Sequence, residues 1–164
     1  MNKGDTMATR LDAFDLKILN IVQENNLVTN REIAEAVNLS TPAVARRLQR
    51  LRTEGVIWQD VSVLRPEEMG NRLTIIVEVS VESEAMEHLE AAKQRFSRCP
   101  QVQQCYYVTG EADFVLIMSV KDMSEYEALT RKLFFEPGNV KRFRTTVSMQ
   151  RVKVSMAIPL GREE

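Results

Sequence analysis

The sequence predicts an α+β chain in two parts, three helices first and then a four-stranded sheet carrying two more helices. Two observations lead there. From Leu11 to Gly55 the apolar residues recur at helical spacing, whereas from Leu73 onward they mostly alternate. Such a switch of period marks a domain boundary. Between the halves, Arg65-Pro66 and Gly70-Asn71 break regular structure, so the join is expected from about Trp58 to Asn71. With 164 residues the chain is long enough for one ordinary domain or two small ones, each with its own core.

In the first half, Phe14, Ile18 and Val22 repeat every four residues and predict one apolar face of a first helix. The second helix, roughly Asn30 to Val37, has a complete start signal. Thr29 and Glu32 make a capping box, with Val28 and Ile33 placed for the hydrophobic staple around it. A third helix begins at Ser40 or Thr41 with Pro42 in its first turn, where a missing N–H does little harm. Val44, Leu48 and Leu51 line its buried side, and Gly55 supplies a stop. Only Asn38 and Leu39 separate the second helix from the Ser40 cap. Asn tolerates the left-handed conformation that a sharp turn between helices needs. Ala34, Asn38 and Val44 stand at the spacing of a helix-turn-helix.

The outer side of the third helix is basic. Arg46, Arg47, Arg50 and Arg52 fall within seven residues, and no acid intervenes between Thr41 and Thr53. Ala43, Arg46, Arg47 and Arg50 share one face at helical spacing. Ser40, Thr41 and Pro42 sit at the helix start, which in such motifs approaches base edges or phosphates. On an isolated surface helix these arginines would be an ordinary solvated face; on the second helix of a turn motif they point to double-stranded DNA. Arg46 is the candidate for a groove-facing contact, and Arg47 and Arg50 are open to bases or phosphates.

In the second half, Leu73, Ile75, Val77, Val79 and Val81 alternate with mostly polar residues and predict a half-buried strand. A helix follows from about Ser83, with Met86, Leu89, Ala92 and Phe96 on its apolar side. Val102 to Val108 and Phe114 to Val120 read as two strands joined through Thr109-Gly110-Glu111-Ala112-Asp113. The next helix starts after Asp122 or Ser124, carries Tyr126, Leu129 and Leu133, and ends at Pro137-Gly138. A last strand is expected somewhere within Val140 to Met156. This order, βαββαβ, is the ferredoxin-like split unit. Helices cover one face of such a sheet, so the other face calls for a partner.

Composition narrows the function classes. The chain is 44% hydrophobic and 27% charged, as in a soluble globular protein. No apolar run is long enough to span a bilayer, and MNKGDTMATR lacks the apolar stretch of a secretory signal. Cys99 and Cys105 match no metal or redox spacing, so reduced thiols and a cytoplasmic location are expected. The net charge of −1 means that any anionic partner must meet a local patch. The only histidine, His88, falls on the polar side of its helix beside Glu87, without a nucleophile or metal set. There is no P-loop and no Gly-rich dinucleotide motif. An enzyme, a cofactor and a metal are therefore not expected.

A helix-turn-helix followed by a ferredoxin-like sheet resembles the Lrp/AsnC (feast/famine) family of prokaryotic transcription regulators. The segments that carry the resemblance are LDAFDLKILNIVQEN, REIAEAVNLSTPAVARRLQRLRTEGVI, VTGEADFVL, VKDMSEY and RTTVSM. It implies a winged helix-turn-helix that binds DNA and a sheet domain, called RAM, that dimerises and often senses an amino acid. Homodimers of the family commonly join into octamers, with effector sites where dimers meet. The implied layout is a flexible amino terminus over 1–10, a DNA-binding domain over 11–58, a linker over 59–71, an effector-binding and oligomerisation domain over 72–157, and a tail over 158–164. Gly110 and Asp113 match the family's turn between the second and third strands of the sheet domain, and Tyr107 falls just before it. Met123 matches a position in the following Asp-Met-Ser segment linked to ligand response. Thr146, Val147 and Ser148 match final-strand positions that help line the pocket.

Each of these has a chemical and a plain reading. Gly110 leaves backbone N–H groups open to a carboxylate, or serves only the turn's dihedrals. Asp113 pairs with an α-ammonium group, or bonds the backbone as a turn partner. Met123, Thr146, Val147 and Ser148 line the pocket or, the plainer reading, serve core or interface. Ala112, where many members carry a bulky residue, and the large Tyr107 argue against transferring leucine or asparagine as effector. The expected function is a sequence-specific DNA-binding regulator gated by a small molecule, an amino acid by class. The alternative is a DNA-organising protein of the same architecture that ignores small ligands.

Overall fold

The computed structural model describes residues 10–136 and 138–160. Most of the expected amino terminus, Pro137 of the expected helix stop and the last four residues of the tail lie outside the described residues. The chain divides into two units, one running to Ser62 and resuming at Ser155, the other Val63–Val154.

In the first unit, α1 (Ala13–Glu24), α2 (Asn30–Val37) and α3 (Thr41–Thr53) surround one apolar cluster. Ile18, Ile33, Ala34, Val37, Val44 and Leu48 form it, with Val28, Leu39 and Ile57 packed at its margin. The capping box on α2 is complete, Thr29 accepting from the Glu32 N–H while the Glu32 carboxylate takes the Thr29 N–H at 2.8 Å. Asn38 stands in the left-handed region at φ 56°, ψ 47°, the bend that turns α2 into α3. The Leu39 N–H then donates to the Ala34 carbonyl at 3.0 Å, closing the turn beneath a small side chain. Phe14 departs from expectation. It is 38% exposed at the rim, with the Arg47 guanidinium 5.6 Å above its ring. In its place Asp15 and Leu19 turn inward beside Ile18.

After α3 the chain runs extended and is strapped to the same unit. The Asp60 carboxylate accepts from Arg52 at 2.7 Å and from the Asn26 amide at 2.8 Å. The carboxyl-terminal segment is strapped there too, for Gln23 bonds both the N–H and the carbonyl of Ile158.

The second unit is a four-stranded antiparallel sheet in the order β2-β3-β1-β4. Its strands are β1 (Leu73–Val81), β2 (Val102–Tyr107), β3 (Phe114–Val120) and β4 (Val140–Val147). Two helices, α4 (Met86–Ser97) and α5 (Met123–Thr130), connect them in the βαββαβ sequence. Alternate residues of β1 and β3, among them Ile75, Val77, Val79, Phe114, Leu116 and Met118, are fully buried against Leu89, Ala92, Phe96 and Tyr126 of the helices. Met86 does not join them. As the first residue of α4 it is 71% exposed. Beyond α5 a π-helical turn, Arg131–Phe135, carries Leu133 and Phe134 into the core, where the Phe134 ring lies 4.6 Å from that of Phe143 on β4.

On the opposite face of the sheet the set is mixed: Ile76, Glu78 and Ser80 on β1, Val115 and Ile117 on β3, Arg142 and Arg144 on β4. No helix among the described residues is long and apolar enough to cross a membrane.

Candidate functional site

Two places gather the residues singled out by the sequence. The first is α3. Ser40 caps it, its Oγ accepting from the Ala43 N–H at 3.4 Å. Thr41 and Pro42 are exposed and Ala43 half-buried at its first turn. The four arginines then part company. Arg46 is exposed and makes no ion pair or hydrogen bond among the described residues. Arg47 reaches back to α1, its Nη1 donating to Asp15 at 2.7 Å and to Asp12 at 2.8 Å. Arg50 Nη2 donates to the other oxygen of Asp15 at 2.5 Å, and Arg52 bonds Asp60.

Arg47 and Arg50 thus have partners within their own unit. Sequence left both open to bases or phosphates; in the structure Arg47 Nη1 and Arg50 Nη2 are bonded to carboxylates at the start of α1, and the two side chains are 27% and 39% exposed. The reason is Asp15, whose side chain is 1% exposed. A buried carboxylate must be matched by charge and hydrogen bonds. Burial alone would raise its pKa. The Asp12 N–H, Arg47 and Arg50 outweigh that and hold it below the usual carboxylate value. Asp12 is lowered as well, first by the Asp15 backbone N–H and then by Arg47. The two aspartates form a capping box on α1 by accepting from each other's N–H groups. An acid at helical spacing to Ile18 and Leu19 was the available signal for this pairing, since it falls on the buried stripe.

The second place is the turn between β2 and β3. Gly110 has φ 126°, which a side chain rarely adopts. The Asp113 carboxylate accepts from the Val81 N–H at 2.8 Å, and the Asp113 N–H donates to the Val79 carbonyl at 2.9 Å. Asp113 thereby stitches the turn to the end of β1, so one of its oxygens serves the backbone. Ser80 Oγ donates to the Glu111 carbonyl at 3.0 Å, fixing the turn from beneath. The N–H groups of Gly110, Glu111 and Ala112 donate to no partner among the described residues. A groove opens here, with Arg142 and Arg144 facing Glu111 and Glu78 at 3.8 and 3.6 Å. It carries both signs of charge.

The other expected effector residues are not gathered at this turn. Tyr107 lies on the helix side of β2, its ring 5.3 Å from Phe114 with the Lys93 ammonium 5.1 Å above it. Thr146 and Val147 pair with Ile76 and Ile75, and the Ser148 N–H donates to the Thr74 carbonyl. Met123, 48% exposed, opens α5 beyond the end of β3 that pairs with Leu73. Thr74 and Val81 mark the two ends. Seven steps of strand at about 3.3 Å each separate them, roughly 23 Å. Within one chain these residues therefore make two half-sets.

The remaining candidates are plain. His88 is exposed beside Glu87. Cys99 and Cys105 are half-buried free thiols, and burial pushes the Cys105 thiol up.

Comparison with known proteins agrees with both halves. Residues 11–57 match the model of the winged helix-turn-helix DNA-binding family, and residues 74–158 that of the Lrp/AsnC ligand binding domain. An HTH-type transcriptional regulator of Sinorhizobium fredii is 46% identical over 153 residues, covering 93% of this chain and 90% of that one. The glutamate uptake regulatory protein of Zymomonas mobilis is 32% identical over 159 residues, covering 94% and 93%. Among solved structures, a transcriptional regulator of Neisseria meningitidis in complex with L-Met superposes with a TM-score of 0.85 at 29% identity, covering 92% of this chain and 97% of that one. With a helix-turn-helix in the first unit and a ligand-binding sheet domain in the second, the chain belongs to the Lrp/AsnC family, whose members are DNA-binding transcriptional regulators and not enzymes.

Proposed function

We propose that this protein is a sequence-specific DNA-binding regulator whose DNA affinity or assembly responds to an amino acid. The observation that carries the DNA half is the uncommitted Arg46 on the outer side of a capped third helix. Ser40, Thr41, Pro42 and Ala43 accompany it at the helix start, where backbone N–H groups and the dipole favour an anion. Arg47 and Arg50, on the same face of the helix, are bonded to Asp15. Arg46→Ala should weaken binding to the selected operator by about 1–3 kcal/mol if the arginine reads a base. Unchanged gel-shift affinity in that variant would sink the role.

The effector half rests on the turn. Open N–H groups at Gly110, Glu111 and Ala112 suit a carboxylate. Asp113 is anchored through one oxygen only, which leaves the other available to an ammonium group. The second half-set (Met123, Thr146, Val147 and Ser148) supports a pocket completed by another copy of the chain, hence a homodimer that assembles further. The half-buried Ile76, Val115 and Ile117 on the open sheet face, with Tyr106 49% exposed beside them, suit such pairing.

A second reading, a DNA-organising protein indifferent to small ligands, is favoured by the incompleteness of the pocket in one chain. A thermal-shift screen of the twenty amino acids separates the two, because a ligand that binds only the folded state raises its melting temperature. A shift that disappears in Asp113→Ala supports the gated regulator. No shift with any amino acid supports the second reading.

A further inference from the structure

Of the four arginines on α3, three are committed to aspartates of their own unit. Arg47 is held by Asp12 and Asp15, Arg50 by Asp15, and Arg52 by Asp60. Arg46 alone is left without an acid among the described residues. A carboxylate with 1% exposure binds two guanidiniums of α3 at 2.7 and 2.5 Å. Hydrophobic residues of similar volume commonly give equal stability, so stability alone does not call for it.

We propose that Asp15, with Asp12 beside it, is a specificity-determining positioning residue: it holds Arg47 and Arg50 on α1 and leaves Arg46 as the arginine of this helix that meets DNA. The inference rests on the DNA-binding reading and goes beyond it. Arginines free to swing onto phosphates strengthen binding to every sequence alike, because the phosphate backbone is the same everywhere. Pinning two of them removes that sequence-independent attraction. It also fixes the rotation of α3, since Arg47 and Arg50 lie about one turn apart on the helix and both converge on one side chain of α1. Discrimination is then left to Arg46 and the helix start.

The test measures binding of the full chain to two duplexes across a salt series. One is the duplex that the wild type enriches from a random-sequence pool, the other an unrelated duplex of equal length. In Arg47→Gln the slope of log affinity against log salt should equal that of the wild type. A slope shallower by about 0.9 per bound protomer, the value of one lost phosphate contact, would overturn the inference by showing that Arg47 already touches DNA. In Asp15→Asn the released Arg50 should make the slope steeper, by up to about 0.9, while Asp12 still holds Arg47. The preference for the enriched duplex should fall at least tenfold. Equal loss of affinity for both duplexes at an unchanged slope would overturn it, for that is what mere distortion produces. Should Asp15→Asn fail to fold, the Arg47→Gln slope decides alone. If the wild type enriches no duplex, the DNA-binding reading itself fails, an outcome distinct from all of these.

Discussion

The amino-terminal unit completes its candidate site within one chain, and the sheet unit does not. On α3, cap, exposed first turn and Arg46 lie within seven residues, and the partners that orient the neighbouring arginines come from α1 of the same unit. In the sheet, Gly110 and Asp113 sit at one end of β1, while Ser148 bonds the other end. The aspartates differ in the same way. Asp15 is buried and matched by two side-chain cations, whereas Asp113 is half-buried and matched by a backbone N–H. A site that is finished locally can work in a single copy. One whose parts are set at opposite ends of a sheet is, on the reading proposed above, completed by another copy.

The energetic side of that comparison can be broken first. Asp15→Ala removes the acceptor shared by Arg47, Arg50 and the Asp12 N–H and should destabilise the first unit by about 3–5 kcal/mol, read by urea unfolding. Its pH dependence has a definite sign. The folded-state pKa is lowered from 3.8, so the contribution is complete at neutral pH and is lost as pH falls below that value and through the folded one. Melting temperature should drop steeply toward pH 3 in the wild type and less in Asp15→Asn. A parallel drop in both would remove Asp15 from the account of acid sensitivity.

Asp113→Ala comes next. It deprives the Val81 N–H of its acceptor, at about 1–3 kcal/mol. A loss as large as that of Asp15→Ala would erase the distinction between the two carboxylates. The smallest effect belongs to the local signals: Thr29→Ala removes one half of a capping box and should cost about 1 kcal/mol. That measurement calibrates how much of the first unit's stability lies in caps as opposed to the ion cluster.

What sequence could foretell follows the same divide. Thr29, Glu32, Asn38, Ser40 and Pro42 act on neighbours a few residues away, so their roles are written in the local pattern and α2 and α3 appear where expected. The tie from Asp15 to Arg47 spans thirty-two residues. Helical spacing marks Asp15 as inward, but nothing along the chain names its partner, and Phe14 took the inward position in the pattern that belongs to Asp15 and Leu19. The sheet tells a similar story. β1 and β3 were legible because they alternate against a core, and β4 less so because Val152, Val154 and Met156 continue its alternation while standing exposed. Register, which separates Asp113 from Ser148, is set by strand pairing and is invisible along a single strand.

The bonds between Gln23 and Ile158 have a practical corollary. The unit that carries α1 to α3 is not a single stretch of coding sequence, because residues from Ser155 return to it after the whole sheet has been made. A gene fragment stopped at Ser62 would encode the three helices but omit the strap that Gln23 holds. On a ribosome, the same unit would wait until Ile158 had been made to receive the strap that Gln23 holds.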